Sequence, residues 1–167
     1  MEFTAPTKLS DGRYIVSTVG DCGLYTLRDC AVTPSDEEWS LSLPSTQMIS
    51  DIDNQIVDLA VKNSEAWFGR EMSRDTLSTY YQYSLDNGSL QASLSVNAKG
   101  RVSTVIFDEN KSVVKDVAPG TQCAALVKLD GLWFLKRTFG PVWKIVQLRV
   151  KKPVQPVQCL IVDSDSE

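Results

Sequence analysis

Residues 119–152 read PGTQCAALVKLDGLWFLKRTFGPVWKIVQLRVKK, and this stretch decides the predicted fold. Apolar and polar residues alternate over 122–129 and again over 143–151, the period of two that is typical of half-buried strands. Asp130-Gly131 is a two-residue turn signal, so it predicts a hairpin between the first of these strands and another over 132–137. The stretch therefore predicts three antiparallel strands.

The same alternation predicts which side chains of the three strands face the core. In the first strand these are Cys123, Ala125, Val127 and Leu129. In the last strand the predicted core side chains are Val146, Leu148 and Val150, and the predicted outer side chains are Trp143, Ile145, Gln147, Arg149 and Lys151. Trp133 and Phe134 are neighbours, so they must point to opposite faces and only one of them belongs to the core.

Upstream of this stretch, short strand patterns are interrupted by one long helical pattern. Residues 38–43 alternate strictly and place Trp39, Leu41 and Leu43 on one face. Residues 45–65 change to spacings of three and four, which predicts an amphipathic helix. Its predicted polar side carries Asp51, Asp53 and Asp58.

Capping and turn signals place the remaining elements. Ser73 is a candidate cap for a second, short helix, and Asn87-Gly88 predicts a tight hairpin turn. About eight short strands with a long helix after the third predict a mainly β fold with a helical insertion, arranged as a small antiparallel barrel, because closure removes exposed strand edges. We predict one domain over residues 1–152 and a flexible acidic tail over residues 153–167.

Charge and composition restrict the function. The chain has a net charge of −4, yet residues 119–152 carry seven Lys or Arg and one acid. Histidine is absent, which removes the commonest general base, so we predict a protein that is not an enzyme and needs no cofactor. Asp51 with Asp53, and Asp163 with Asp165, lack the glycine and distal glutamate of a calcium loop, so no metal site is predicted.

Cysteine usage and hydropathy indicate where the chain resides. The four cysteines show no metal-binding or redox spacing, so small buried residues without disulfides are predicted. No apolar run is as long as a membrane span, and no signal peptide pattern begins the chain. We therefore expect neither membrane insertion nor secretion.

Aromatic residues interleaved with cations on paired strands are what a single-stranded nucleic-acid platform needs. The predicted stacking residues are Trp133, Phe139 and Trp143. The predicted phosphate contacts are Lys128, Lys136, Arg137, Lys144, Arg149 and Lys151. Two alternatives stay open: Trp143 covers an open end of the barrel, and residues 136–140 are a solvated hairpin end.

Several short motifs also carry a family resemblance, which covers about residues 36–152. They are Gly131-Leu132-Trp133-Phe134, Phe139-Gly140, Trp143-Lys144 and the segments at 63–68 and 72–74. In these the chain resembles the single-stranded DNA-binding proteins of large nucleocytoplasmic DNA viruses, which are similar in turn to the replication proteins of short-tailed phages. The resemblance implies an OB-type barrel with a helical insertion and an acidic tail.

The functional expectations from that resemblance are specific. They are sequence-tolerant binding of single-stranded DNA in viral DNA replication or repair, in the nucleus or at a cytoplasmic replication site of an infected host cell. The tail would compete for the DNA groove or recruit replication proteins. A homo-oligomer is left open.

The tail also resembles a second kind of motif. It has an apolar run followed by acidic residues: Leu160, Ile161, Val162, Asp163, Asp165 and Glu167. This pattern is similar to SUMO-interacting motifs, which add a strand to the edge of a partner's sheet. The rival hypothesis to DNA binding is a β-barrel adaptor or virion structural protein. Such a protein would bind its partner through the basic strand face or through the tail.

Overall fold

The structure, a computed structural model, describes residues 2–20, 23–36 and 38–151. The elements in these ranges are, in chain order, β1 Thr7–Lys8, β2 Tyr14–Ser17, β3 Leu24–Thr33, β4 Trp39–Ser42, α1 Gln47–Lys62, α2 Ser64–Phe68, α3 Arg74–Tyr80, β5 Leu85–Asp86, β6 Ser89–Leu94, β7 Val105–Phe107, β8 Thr121–Phe134 and β9 Phe139–Val150. The chain is thus mainly β with a helical insertion between β4 and β5, as predicted. The predicted tail lies outside the described residues.

Five of the strands close a ring of hydrogen-bonded pairs. β3 pairs with β4, β4 with β6, β6 with β9, β9 with β8, and β8 returns to β3. Only the β6–β9 pairing in this ring is parallel. The short strands β1 and β2 extend the sheet beyond one end of β8, and β7 pairs with β9.

The core fills the ring and continues under α1. Leu41, Leu90 and Leu129 from three of the strands are fully buried, and Ile52 and Ile56 bring the apolar stripe of α1 onto the same cluster. Burying a side chain of this size stabilises the fold by about 1.5–3 kcal/mol. The predicted amphipathic helix is confirmed, with bounds of Gln47 and Lys62.

Two local predictions are also confirmed. The Ser73 hydroxyl accepts a hydrogen bond from the Thr76 N–H and so caps α3. Asn87 and Gly88 join β5 to β6 with φ of 52° and 80°, the left-handed conformation that a tight hairpin turn requires.

The hairpin predicted at Asp130-Gly131 is wrong. β8 runs without interruption from Thr121 to Phe134, and at Gly131 the chain does not turn but only shifts its register with β9. A Cβ on Gly131 would lie 2.0 Å from the Val16 carbonyl oxygen, so this glycine permits the close approach of β2. The turn between β8 and β9 lies at residues 135–138, where the Leu135 N–H donates to the Thr138 carbonyl at 2.8 Å.

The predicted faces of β9 are wrong in its first half. Register jumps from Leu126 opposite Gln147 to Val127 opposite Ile145, which leaves Val146 as a bulge residue. A bulge reverses the alternation on one side of it. Trp143, 4% exposed, and Ile145 therefore face the core, and Val146 is only half-buried. Beyond the bulge the prediction is confirmed: Leu148 and Val150 are buried, and Gln147, Arg149 and Lys151 are exposed.

Asp53 was predicted on the polar side of the helix, and that position is also wrong. Its side chain is 2% exposed, whereas Asp51 and Asp58 are exposed as predicted. Tyr81 and Ser84, which follow α3, supply the hydrogen bonds that a buried carboxylate requires.

Cys30 and Cys123 are buried free thiols that lie opposite one another in the β3–β8 pair, so their predicted burial is confirmed. Burial raises the pKa of Cys30 to about 11 and that of Cys123 to about 12.

Within the ranges described, no helix is long and apolar enough to cross a membrane. The same ranges hold no cluster of three or more potential metal-ligating side chains.

Candidate nucleic-acid interface

A cleft of about 590 Å³ opens where β8 and β9 meet the segment that follows α3. We call it the aromatic cleft. Its lining residues are Arg13, Glu38, Gln82, Tyr83, Ser84, Leu85, Asp86, Gln91, Trp133, Pro141 and Trp143.

Trp133 forms one wall of the aromatic cleft. It lies on the outer face of β8, between Ile15 of β2 and Gly140 of β9. A Cβ on Gly140 would come within 2.9 Å of the Trp133 ring, so the absence of a side chain there lets the indole lie across β9. Phe134 is the core member of this pair, which confirms that only one of the two neighbours is buried.

Tyr83 supplies a second aromatic side chain, with 49% of its surface exposed. Its segment is fixed to β9, because Tyr81 bridges Phe139 and the Gln82 N–H donates to the Phe139 carbonyl at 2.8 Å. The Tyr81 and Tyr83 rings meet edge to face with centroids 5.0 Å apart. Tyr83 was not among the predicted stacking residues, although tyrosines are concentrated at 80, 81 and 83 in a polar segment.

Arg13 reaches the aromatic cleft from the β1–β2 hairpin. It lies two residues before Ile15, the register partner of Trp133, so it shares the outer face with both. Its Nε donates to Asp11 Oδ2 at 2.8 Å. The Arg13 backbone N–H, with the guanidinium beside it, lowers the pKa of the Asp11 carboxyl. Arg13 was not predicted either, because it lies far from the basic stretch over residues 119–152.

Below the cleft lies a buried polar network centred on Asp53. Its carboxylate accepts hydrogen bonds from the Tyr81 hydroxyl, from Ser84 Oγ at 2.6 Å and from the Ser84 N–H at 3.2 Å. The Trp143 indole N–H donates to Ser84 Oγ at 2.9 Å. Burial raises the pKa of Asp53, and the hydrogen bonds from Ser84 and Tyr81 oppose that rise. Burial, with the nearby Asp53 charge, raises the pKa of Tyr81.

Phe139 and Trp143 were predicted on the surface, and neither lies there. Phe139 is fully buried and packs against Phe68, Tyr81 and Phe134. Trp143 reaches the floor of the cleft but is held by Ser84 and lies edge-on to Tyr25, with ring centroids 6.0 Å apart. Their predicted exposed positions are therefore wrong. The bulge at Val146 turns Trp143 inward, and Phe139 is the first residue of β9 rather than part of a loop.

The predicted cations divide between two places. Lys136 and Arg137 are exposed in the 135–138 turn, three and four residues beyond Trp133. The other four lie on the outer side of β8 and β9, and we call them the basic face: Lys128, Lys144, Arg149 and Lys151. None of these four lines the aromatic cleft.

The basic face has its own geometry. Lys128 lies directly opposite Lys144, and a cleft of about 390 Å³ there is walled by Leu24, Val96 and Val146 among others. Lys128 Nζ is 3.8 Å from Asp130, so part of its charge is compensated. Lys151 Nζ similarly lies 3.7 Å from an Asp29 carboxylate oxygen.

Comparison by sequence identifies one family. A model described as a family of unknown function, DUF5871, matches residues 28–161. No curated protein matches the chain at a significant level.

Comparison by structure finds phage proteins of similar fold. A C-terminally truncated single-stranded DNA-binding protein from bacteriophage Enc34 has 10% identity and a TM-score of 0.52, covering 93% of this chain and 98% of its own. The bacteriophage T7 single-stranded DNA-binding protein gp2.5 has 11% identity and a TM-score of 0.51, covering 84% and 98%. The Enc34 protein in complex with single-stranded DNA has 11% identity and a TM-score of 0.50, covering 92% and 97%. At such identities the likeness is one of fold.

Proposed function

We propose that this chain, which belongs to the DUF5871 family of unknown function, binds single-stranded DNA through its aromatic cleft. One observation carries the proposal. Trp133 and Tyr83 present aromatic surface in a single cleft of a fold that is similar to those of two phage single-stranded DNA-binding proteins.

The ring of strands supports the finer assignment of an OB-type barrel. The five ring strands are, in chain order, β3, β4, β6, β8 and β9, so β4 is the second and β6 the third. The third and fifth ring strands, β6 and β9, form the one parallel pairing of the ring. OB folds bind oligonucleotides on the face of strands two and three, with the loops between strands one and two and between four and five. Here those loops are residues 34–38 and 135–138, and both Glu38 and Gln91 of β6 line the aromatic cleft.

The binding mode follows from the side chains in place. Bases stack on Trp133 and Tyr83, which tolerates any sequence because every base has a π-face. Arg13, Lys136 and Arg137 contact phosphates of the bound strand. The four cations of the basic face contact phosphates only when a strand is long enough to leave the cleft and continue around the barrel.

The wider proposal is a non-enzymatic protein of viral DNA replication or repair, acting in an infected host cell. It is supported by the resemblance of residues 36–152 to binding proteins of large DNA viruses and by the similar fold of the phage proteins. The acidic tail, Leu160 to Glu167, lies outside the described residues and stays a proposed contact for replication proteins or SUMO.

Titration with oligo-dT tests the binding proposal. Tryptophan fluorescence is expected to be quenched at low salt, with an affinity that falls as salt rises, because phosphate binding releases counterions. Trp133→Ala should remove most of the quenching. Neither quenching nor a gel shift at low salt would contradict single-stranded DNA binding and favour the protein-adaptor hypothesis.

A further inference from the structure

The helical insertion is connected to the aromatic cleft by a continuous polar path. Asp53, in the second turn of α1, accepts hydrogen bonds from Tyr81 and Ser84, the two residues that flank Gln82 and Tyr83. Ser84 in turn accepts from the Trp143 indole at the cleft floor. One carboxylate therefore holds both ends of the segment that displays Tyr83.

We infer that Asp53 is a positioning residue of the DNA cleft, which acts by holding Tyr83 in the orientation that a base stacks on. The inference rests on the proposed function. Asp53 is 2% exposed and cannot touch a ligand itself. Its effect has to pass through Tyr81 and Ser84.

Strand β9 holds only the beginning of the segment that carries Tyr83, and Asp53 holds its end. The segment is tied to β9 at its beginning, where Tyr81 bridges Phe139 and the Gln82 N–H donates to the Phe139 carbonyl. At its end, the backbone N–H of Ser84 is directed to Asp53 rather than to a strand. The path of Tyr83 is therefore set by β9 on one side and by helix α1 on the other.

The carboxylate at position 53 fits a positioning role better than a contribution to the stability of the fold. None of the salt bridges within the described ranges involves Asp53, and burying a charge without a cation is costly. An apolar residue would continue the Ile49, Ile52, Ile56 stripe of α1 without that cost. Only an acceptor with two oxygens can receive the Tyr81 hydroxyl, the Ser84 hydroxyl and the Ser84 N–H together.

A double-mutant cycle on the full chain tests the inference. Asp53→Asn keeps the shape but turns an N–H₂ group toward one of the donors, and the affinity for oligo-dT should fall several-fold. In a Tyr83→Ala background, Asp53→Asn should cause no further loss, because the residue it positions is gone. Ile52→Val, on the same helix, is the matched control: it should lower thermal stability and leave oligo-dT affinity unchanged. Ser84→Ala repeats the test if Asp53→Asn fails to fold.

The outcomes separate the inference from the proposed function. Equal losses of affinity with and without Tyr83, or no loss in either, would overturn positioning by Asp53 while single-stranded DNA binding stands. If the wild-type chain binds no oligo-dT, the proposed function fails, and NMR resonances of the Tyr83 ring then decide the geometry. Their movement in Asp53→Asn is expected, and unchanged resonances would overturn the inference.

Discussion

The aromatic cleft and the basic face lie on the same two strands and differ in what they offer a ligand. The cleft has Trp133 and Tyr83 with a mixture of charges, since Arg13 is accompanied by Glu38 and Asp86. The basic face has Lys128, Lys144 and Arg149 beside aliphatic residues. Phosphate contacts position a nucleic acid, whereas stacking selects unpaired bases. Charge alone favours the basic face as the DNA-binding site, whereas exposed aromatic surface favours the aromatic cleft.

The largest effect should come from removing the main stacking surface. We expect Trp133→Ala to weaken oligo-dT binding by about 1–3 kcal/mol, the loss of one stacked base. Fluorescence anisotropy of a labelled oligonucleotide measures the change. An affinity equal to that of the wild type would mean that the cleft is not the binding site.

The 135–138 turn should account for much of the salt dependence. Replacing Lys136 and Arg137 with alanine should weaken binding several-fold and reduce the slope of log affinity against log salt by about 0.7 for each lost contact. The matched control replaces Lys99 and Arg101, exposed cations of the 96–102 hairpin, and changes the net charge equally. If the two double variants weaken binding equally, the turn contributes only through the net charge of the protein and makes no specific phosphate contact.

Gly140 provides a more local test of the cleft wall. A methyl group there would meet the Trp133 ring at 2.9 Å, so Gly140→Ala should displace the indole and weaken oligo-dT binding several-fold. In a Trp133→Ala background the same substitution should have no further effect on affinity. A loss that persists in that background would show that Gly140 acts independently of the indole.

Asp53 should make the free energy of unfolding depend on pH. Because its folded-state pKa is raised, the folded chain holds this proton more tightly than the unfolded chain does. The free energy of unfolding of the wild type should therefore fall relative to Asp53→Asn as pH rises from about 4 through the folded pKa. Urea unfolding of both proteins across that range measures the difference. A difference that grows in the wild type's favour would contradict a raised pKa.

The smallest effect on short oligonucleotides should come from the basic face. Lys128→Ala with Lys144→Ala should change the affinity for a short oligo-dT by no more than about twofold, because solvent-accessible charges outside the cleft are screened by salt. Longer oligonucleotides should lose more, since only they reach this face. The double variant should unfold at a slightly higher temperature, because like charges directly opposite on paired strands are destabilising. A large loss with short oligonucleotides would move the site to the basic face.

Local patterns predicted the mainly β fold well, and non-local contacts explain the errors. The alternation that contains Leu41 and the turn at Asn87-Gly88 are determined by neighbouring residues, and both are confirmed. Gly131 carries a turn signal but serves the packing of Val16, more than a hundred residues earlier in the chain. No pattern within β9 indicates the bulge at Val146, which depends on register with β8.

The site was predicted less completely than the fold for the same reason. Trp133 and the Lys136-Arg137 turn lie in one hairpin and were predicted together. Tyr83 and Arg13 come from separate segments, which only the closed ring brings to Trp133. Asp53 is buried because its partners Tyr81 and Ser84 follow about thirty residues later, and helical periodicity carries no information on them.

The central claim is that DNA bases stack on Trp133 while Trp143 stays in the core. The indole N–H resonances of a ¹⁵N-labelled protein, followed by NMR during titration with oligo-dT, test it directly. The indole resonance of Trp133 should move most, and that of Trp143, hydrogen-bonded to Ser84, should move little. A titration in which Trp143 moves most and Trp133 stays in place would contradict the account.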